Sequence, residues 1–179
     1  MEEKYNKQLQ EARGKFLVFL QDEVTLPNGK TAVREMVLHP GAVAILAVTE
    51  NQEIIFVKQY RYPVREVLFE IPAGKLEGKE DPFFSAQREL EEETGFQALQ
   101  WEKLGTFYST PGFSNEIMHL YLAQGLVQKK AHPDPDEIIE YQAIPFDQAL
   151  RMASQGEIKD AKTMIGILWL AAGKKLTVD

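Results

Sequence analysis

The chain has 179 residues, of which 44% are hydrophobic and 26% charged, as expected for a soluble globular domain with its own core. Its net charge of −7 argues against a general nucleic-acid-binding surface. Cysteine is absent, which excludes disulfides and thiolate metal sites. The first fifteen residues lack the apolar region of a secretory signal, and no run of eighteen apolar residues occurs, so we expect a cytoplasmic protein without membrane association.

The N-terminal segment predicts a small sheet. Residues 1–14 favour a short helix or a frayed end, whereas residues 15–26 and 31–38 are typical of strands joined by a Pro-Asn-Gly-Lys turn. An isolated two-stranded hairpin is only marginally stable, so it must pack on the main domain or on a second subunit. We therefore expect an N-terminal β-sheet extension over residues 1–39 and a main domain over residues 40–179.

The main domain predicts an α/β fold. Residues 42–49 and 53–60 are predicted strands, and the first is apolar enough to be buried on both faces. Further strands are predicted over residues 67–71, 99–108, 117–125 and 138–144, and helices over residues 82–94, 146–154 and 161–172. Strands on both sides of a central helix, with more helix at the end, indicate an α/β sandwich of mixed sheet.

The central helix carries an unusual acidic face. Asp81 and Pro82 suit its start and Gly95 its end, while an apolar stripe that includes Leu90 should face the core. Three carboxylates gather on a second face, those of Glu89, Glu92 and Glu93, while Glu91 points away. Such like charges repel, so the cluster needs a counter-charge, for which Mg²⁺ is suited. The alternative is a solvated acidic face, but that explains neither Arg88 nor the glycines.

These residues resemble the Nudix box, a motif of hydrolases that cleave a nucleoside diphosphate linked to another group. Every position of the motif is matched: Gly74, Glu80, Arg88, Glu89, Leu90, Glu92, Glu93, Gly95 and Phe96. The resemblance implies an α/β/α Nudix sandwich. It also implies a Mg²⁺ cofactor, with Mn²⁺ as a substitute, and leaves the number of ions open.

The motif assigns roles to individual residues. Glu89 and Glu93 are the best candidates for metal ligands, and the resemblance adds the backbone carbonyl of Ala73. Glu92 and Arg88 are placed in the catalytic set, Arg88 through a structural pairing with Glu80. We expect Gly74 and Gly95 to adopt backbone angles that are closed to other residues.

The family takes its water-activating carboxylate from an acidic loop before the penultimate helix. Residues 132–140 form such a loop here, although Pro135 interrupts the acidic run. Glu137 is the best match for the base and a further metal ligand, with Asp136 or Asp134 as alternatives. A solvated acidic loop without a catalytic role is the competing interpretation, and the geometry of the base must decide.

A second marker indicates the branch of the family. ADP-ribose pyrophosphatases resemble this chain in carrying a proline about fifteen residues after the box, where Pro111 stands. Phe113 lies in the same loop and is a candidate for stacking on the nucleobase of the substrate. An ordinary hairpin loop would explain the proline and glycine equally simply.

Candidate substrate contacts come from two further segments. Arg61, and Arg34 with Glu35, resemble family positions that contact the diphosphate and the adenine or ribose. Arginine suits phosphate because its planar fork donates two hydrogen bonds. Surface arginines without such a role are the alternative.

The sequence therefore predicts a Mg²⁺-dependent hydrolase that converts ADP-ribose into AMP and ribose 5-phosphate. Cleavage of another nucleoside diphosphate sugar such as GDP-mannose is the nearest alternative, and a non-catalytic nucleotide-binding module is the more distant one. We expect a small-molecule substrate, no nucleic-acid partner and a homodimer, and we leave open whether the dimer exchanges its N-terminal sheet.

Overall fold

A computed structural model describes residues 1–129 and 139–173. The chain divides into an N-terminal unit, Met1–Gly41 with Tyr108–Ile117, and a main unit, Ala42–Phe107 with Met118–Asp179. Whether residues 1–39 and 40–179 act as the expected extension and main domain stays a prediction. Within the described residues, no helix is long and apolar enough to cross a membrane.

The N-terminal unit contains a three-stranded antiparallel sheet, with β1 (Lys4–Arg13), β2 (Val18–Thr25) and β3 (Thr31–Leu38) in that order. The predicted β2–β3 hairpin is confirmed. Its turn is closed by the Leu26 amide, which donates to the Lys30 carbonyl at 2.8 Å. Gly29 has φ of +82°, a conformation that favours glycine.

The prediction of a helix or a frayed end over residues 1–14 is wrong, because Lys4–Arg13 forms β1. The segment is rich in Gln, Glu and Lys, which are good helix formers, and this composition favoured the helix. The segment instead pairs with β2, so that its backbone groups find their hydrogen-bond partners in the sheet. The pairing runs from Lys4 opposite Thr25 to Arg13 opposite Val18. Tertiary pairing thus overrides local propensity.

The main unit is built from two sheets and three helices. Its strands are β4 (Ala42–Ala47), β5 (Glu53–Arg61), β6 (Glu66–Glu70), β7 (Ala73–Lys75), β8 (Phe96–Tyr108), β9 (Ile117–Gln128) and β10 (Glu140–Pro145). The last residue of β8, Tyr108, and the first residue of β9, Ile117, belong to the N-terminal unit. Its helices are α1 (Pro82–Thr94), α2 (Phe146–Ser154) and α3 (Ala161–Ala171). One sheet has the order β7-β4-β9-β8 and the other the order β10-β5-β6.

Strand β4 shows how the layers are arranged. Alternate residues of β4, such as Ala44 and Leu46, pack in a core with residues of α2 and α3, including Ile167. The intervening residues, such as Ile45, pack in a second core with Leu90 of α1. Because β4 is parallel to β9 and antiparallel to β7, the sheet is mixed. The predicted α/β/α sandwich with mixed sheet is confirmed.

Helix α1 begins and ends as predicted. The Asp81 carboxylate accepts a hydrogen bond from the Phe83 amide at 2.8 Å, and Pro82 occupies the first turn. Gly95 has φ of +72° and donates its amide to the Glu91 carbonyl at 2.8 Å. Leu90 is fully buried, a contribution of about 1.5–3 kcal/mol that fixes which face of the helix meets the sheet.

Candidate active site

The two predicted carboxylate ligands lie on a buried part of α1. Glu89 and Glu93 are one helical turn apart, and their exposed fractions are only 9% and 6%. The amide of Ala73 donates a hydrogen bond to Glu93 Oε2 at 3.1 Å, which places the start of β7 beside the helix. Glu89 and Glu93 therefore lie on an internal surface beside residues 73 and 74, where removal from water makes their charges costly unless they are compensated. The Glu92 side chain is 36% exposed.

Gly74 is required for a different reason from the one the sequence suggested. Among the described glycines, Gly95 has a positive φ as expected, but Gly74 does not, so the expectation of a special backbone angle at residue 74 is wrong. A Cβ atom at residue 74 would instead overlap the carboxylate of Glu89. The glycine permits close approach of β7 and α1.

Arg88 compensates much of the acidic charge. Its guanidinium lies 3.1 Å from Glu80 Oε2, 2.9 Å from Glu89 Oε1 and 2.7 Å from Glu92 Oε2, and the predicted Arg88–Glu80 pairing is confirmed. Burial lowers the pKa of Arg88, but the hydrogen bond with Glu80 and the charges of Glu89 and Glu92 outweigh it, and the pKa is raised. One arginine therefore holds three carboxylates together, which the sequence analysis had left to a metal ion alone.

The described residues supply some, but not all, of the oxygen ligands that a divalent cation needs. Among the described residues, no group of three or more His, Cys, Asp or Glu side chains could hold a metal ion. Mg²⁺ is commonly bound by only one or two carboxylates, with water and substrate phosphate supplying the other oxygens. Glu89, Glu93 and the carbonyl of Ala73 match that smaller protein contribution. The predicted ligand and base Glu137, with its alternatives Asp134 and Asp136, lies outside the described residues.

Arg61 is bound to an acidic residue that the sequence analysis did not single out. Its Nε and Nη2 atoms donate to the two carboxylate oxygens of Glu70 at 2.6 and 2.7 Å. Glu70 is 1% exposed and also receives Lys162 Nζ. Burial raises the pKa of Glu70, but the hydrogen bond from Arg61 and the charges of Lys162 and Arg61 outweigh it, and the pKa is lowered. Glu70 is the lone acid in the apolar run Val67–Ile71, a signal that could have identified it.

The start of α3 contacts the same loop. Asp160 caps the helix by accepting from the Thr163 amide at 3.0 Å, and it also binds Lys162 Nζ at 3.0 Å. Thr163 is fully buried, and its hydroxyl oxygen accepts from the amide of Ile71 at 2.8 Å. Residues 70 and 71 are thus both bound by α3, shortly before Ala73 begins β7.

The remaining predicted substrate contacts lie in the N-terminal unit. Arg34 Nε donates to Glu3 at 2.9 Å, and Glu35 accepts from Gln21 at 3.1 Å. Phe113 is 58% exposed, and its carbonyl accepts from the amide of Val37 at 2.7 Å. Pro111 belongs to the same exposed turn. Their roles toward a substrate stay predictions.

Comparison with known proteins identifies the family and several relatives of this chain. The family model described as NUDIX domain matches residues 38–165. The chain is similar to an ADP-ribose pyrophosphatase of Bacillus subtilis (strain 168), with 45% identity over 95% of this chain and 93% of that protein. It is also similar to a methanol dehydrogenase activator of Bacillus methanolicus, with 46% identity over 94% and 92%.

A solved structure described as an ADP compounds hydrolase has the same fold. Its TM-score is 0.86 at 19% identity, over 97% of this chain and 94% of that chain. The complete box, the arrangement of its carboxylates, the family match and the relatives that span nearly the whole chain agree. The chain belongs to the Nudix family.

Proposed function

We propose that this chain is a pyrophosphohydrolase that cleaves ADP-ribose to AMP and ribose 5-phosphate with Mg²⁺. The observation that carries the proposal is the buried pair Glu89 and Glu93 beside Ala73, within a box that matches at every position. The 45% identity with an ADP-ribose pyrophosphatase supports the substrate. Nudix hydrolases generally use Mg²⁺ or another divalent metal ion.

A phosphoric anhydride reacts slowly because its negative charge repels nucleophiles. A bound divalent ion supplies neutralisation of that charge and a more acidic water. Glu89 and Glu93, with the carbonyl of Ala73, would hold the ion. Arg88 keeps the carboxylates in place, since it binds Glu80, Glu89 and Glu92 at once.

The proton of the attacking water must go to a carboxylate within hydrogen-bond reach. Glu92 is the candidate on α1, although in this structure it is bound to Arg88. Glu137 is the candidate in the acidic loop, with Asp136 and Asp134 as alternatives. Separate Glu92→Gln and Glu137→Gln variants distinguish them, because the base acts only when deprotonated and its loss removes the acidic limb from the pH dependence of kcat.

Substrate recognition is assigned to residues outside the box. Arg61 would bind the diphosphate, because its guanidinium is 39% exposed and the charge of Glu93 helps to raise its pKa. Arg34 and Glu35 are proposed contacts of the adenine or ribose, and Pro111 and Phe113 are proposed as further substrate contacts. A homodimer and a cytoplasmic location belong to the same proposal, and light scattering at micromolar concentration tests the dimer.

Steady-state kinetics on ADP-ribose, ADP-glucose and GDP-mannose test the substrate. The proposal expects the highest kcat/KM for ADP-ribose, since specificity is the ratio of these values. Faster turnover of GDP-mannose would support the proposed hydrolysis but would show that ADP-ribose is not the preferred substrate. If ADP-ribose stabilises the protein thermally and no compound is cleaved, the chain is a nucleotide-binding module.

The Bacillus methanolicus relative favours a second candidate function, activation of a dehydrogenase. Adding the protein to methanol dehydrogenase tests it by the change in initial rate. Comparing the parent with Glu93→Gln then shows whether activation needs the carboxylate pair. An unchanged dehydrogenase rate with the parent protein would dismiss this function.

A further inference from the structure

Glu70 is a buried carboxylate shared by two cations from different elements. Its side chain is 2% exposed and contacts Arg61 at the end of β5 and Lys162 in the first turn of α3. A buried charge persists only where it is well paired. Glu70 therefore links Arg61 to α3, because it binds the Arg61 guanidinium and Lys162 at the same time.

The pairing determines which edge of Arg61 is presented outward. Glu70 accepts from Nε and Nη2, which uses two of the five N–H groups of a guanidinium. The Arg61 side chain is nevertheless 39% exposed, so part of the group remains accessible. A planar fork fixed on one edge can donate a bidentate pair to a phosphate only in a restricted direction.

The Arg61 guanidinium also interacts electrostatically with a carboxylate of the candidate site. The hydrogen bond with Glu70 raises its pKa, and the charges of Glu93 and Asp160 add to the effect. Lys162 binds Asp160 as well as Glu70, so the position of its ammonium group is fixed by two carboxylates. Beside it, Thr163 binds the amide of Ile71, which fixes the backbone next to Glu70.

We propose that Glu70 and Lys162 are positioning residues that orient Arg61 toward the diphosphate of the substrate. The inference rests on the proposed function, because it needs a diphosphate ligand at Arg61. Neither residue touches the substrate. Their effect is to hold the guanidinium in the direction in which it binds phosphate, before the substrate arrives.

The first test compares Lys162→Met with Lys159→Met. Lys159 also joins the start of α3 to β6, through an exposed ion pair with Glu66, and is a matched control that does not contact Glu70. We expect Lys162→Met to raise KM for ADP-ribose about tenfold and to change kcat less than about threefold. This is the effect expected from the loss of one charge-assisted contact. Lys162→Arg should restore KM, and Lys159→Met should leave it unchanged. A fall in kcat at constant KM would overturn the proposal.

A double-mutant cycle shows whether the effect passes through Arg61. Glu70→Gln alone should raise KM, but in an Arg61→Ala background it should change KM less than about twofold. This background leaves Lys162 paired with Asp160, so no buried cation is orphaned. Equal effects of Glu70→Gln in both backgrounds would show a merely structural role. Thermal midpoints of all variants establish that the assay temperature lies below unfolding.

Binding separates failure of this inference from failure of the proposed function. Hydrolysis by the parent protein tests the function, whereas calorimetric titration with ADP-ribose in EDTA tests positioning without turnover. We expect Kd to be about tenfold weaker for Lys162→Met than for Lys159→Met. Equal Kd values, or no binding by the parent protein, would overturn the inference even if hydrolysis is observed.

Discussion

The carboxylate of Glu89 lies so close to the Cα of Gly74 that residue 74 has no room for a side chain. Strand β7 and the inner face of α1 are therefore in direct contact at Gly74 and Glu89. Ala73, the preceding residue, binds Glu93 through its amide at 3.1 Å. These two contacts determine the separation between the backbone of β7 and the carboxylate pair.

Gly74→Ala should inactivate the enzyme, because the added Cβ displaces the Glu89 carboxylate. We expect kcat/KM to fall about a hundredfold and the unfolding free energy to fall about 1–3 kcal/mol, as for other overpacked sites. Gly78→Ala is the control, since a Cβ there meets nothing within 4 Å although φ is +56°. Its activity should stay near that of the parent. Near-normal activity of Gly74→Ala would contradict the account that this close contact fixes the Glu89 carboxylate.

Glu93→Gln should remove most activity while the fold persists. The variant keeps a side chain of the same size and an oxygen that can accept from the Ala73 amide, but it loses the charge. Because a metal contributes several kcal/mol of charge stabilisation, kcat should fall about a hundredfold or more. Glu91→Gln carries the same chemical change on the same helix, where Glu91 binds Gln97, and should stay active. Circular dichroism and initial rates measure both.

Arg88→Lys should destabilise the protein despite conserving the charge. An ammonium group cannot reproduce the contacts of the guanidinium with Glu80, Glu89 and Glu92. Because Arg88 is 28% exposed, we expect a loss of about 2 kcal/mol in unfolding free energy rather than the full cost of a buried orphan charge. Urea denaturation measures it, and an unchanged midpoint would contradict this account of the carboxylate cluster.

Glu70 should make stability depend on acid pH. Its pKa is lowered in the folded protein, so its contribution is present above the ordinary glutamate pKa of about 4.3 and is lost as the pH falls through the folded value. Urea denaturation between pH 7 and pH 3 should therefore show a shallower acid decline for Glu70→Gln than for the parent. Parallel declines would mean that Glu70 has no lowered pKa.

Much of the fold follows from local pattern. The apolar run in β4, the Asp81 cap and Gly95 specify their elements within a few residues, and the structure agrees. β1 could not be predicted, because its strand conformation depends on pairing with β2 rather than on its own composition. Short β7 was also missed, since three residues carry no periodicity.

The candidate site divides in a similar way. The box identifies Glu89, Glu93 and Arg88 because their spacing on one helix brings them together. Lys162 is separated from Glu70 by 92 positions, so only the tertiary fold reveals their contact. The reason for Gly74 was likewise hidden, because a close approach leaves no local signal that differs from that of a turn.

Product analysis after incubation with ADP-ribose tests the central claim most directly. The parent protein and Glu93→Gln would be compared with Mg²⁺ and with excess EDTA, and products separated by ion-exchange chromatography. We predict equal amounts of AMP and ribose 5-phosphate from the parent with Mg²⁺, and almost none in the other three reactions. Intact ADP-ribose after incubation of the folded parent with Mg²⁺, or equal cleavage by Glu93→Gln, would contradict the account.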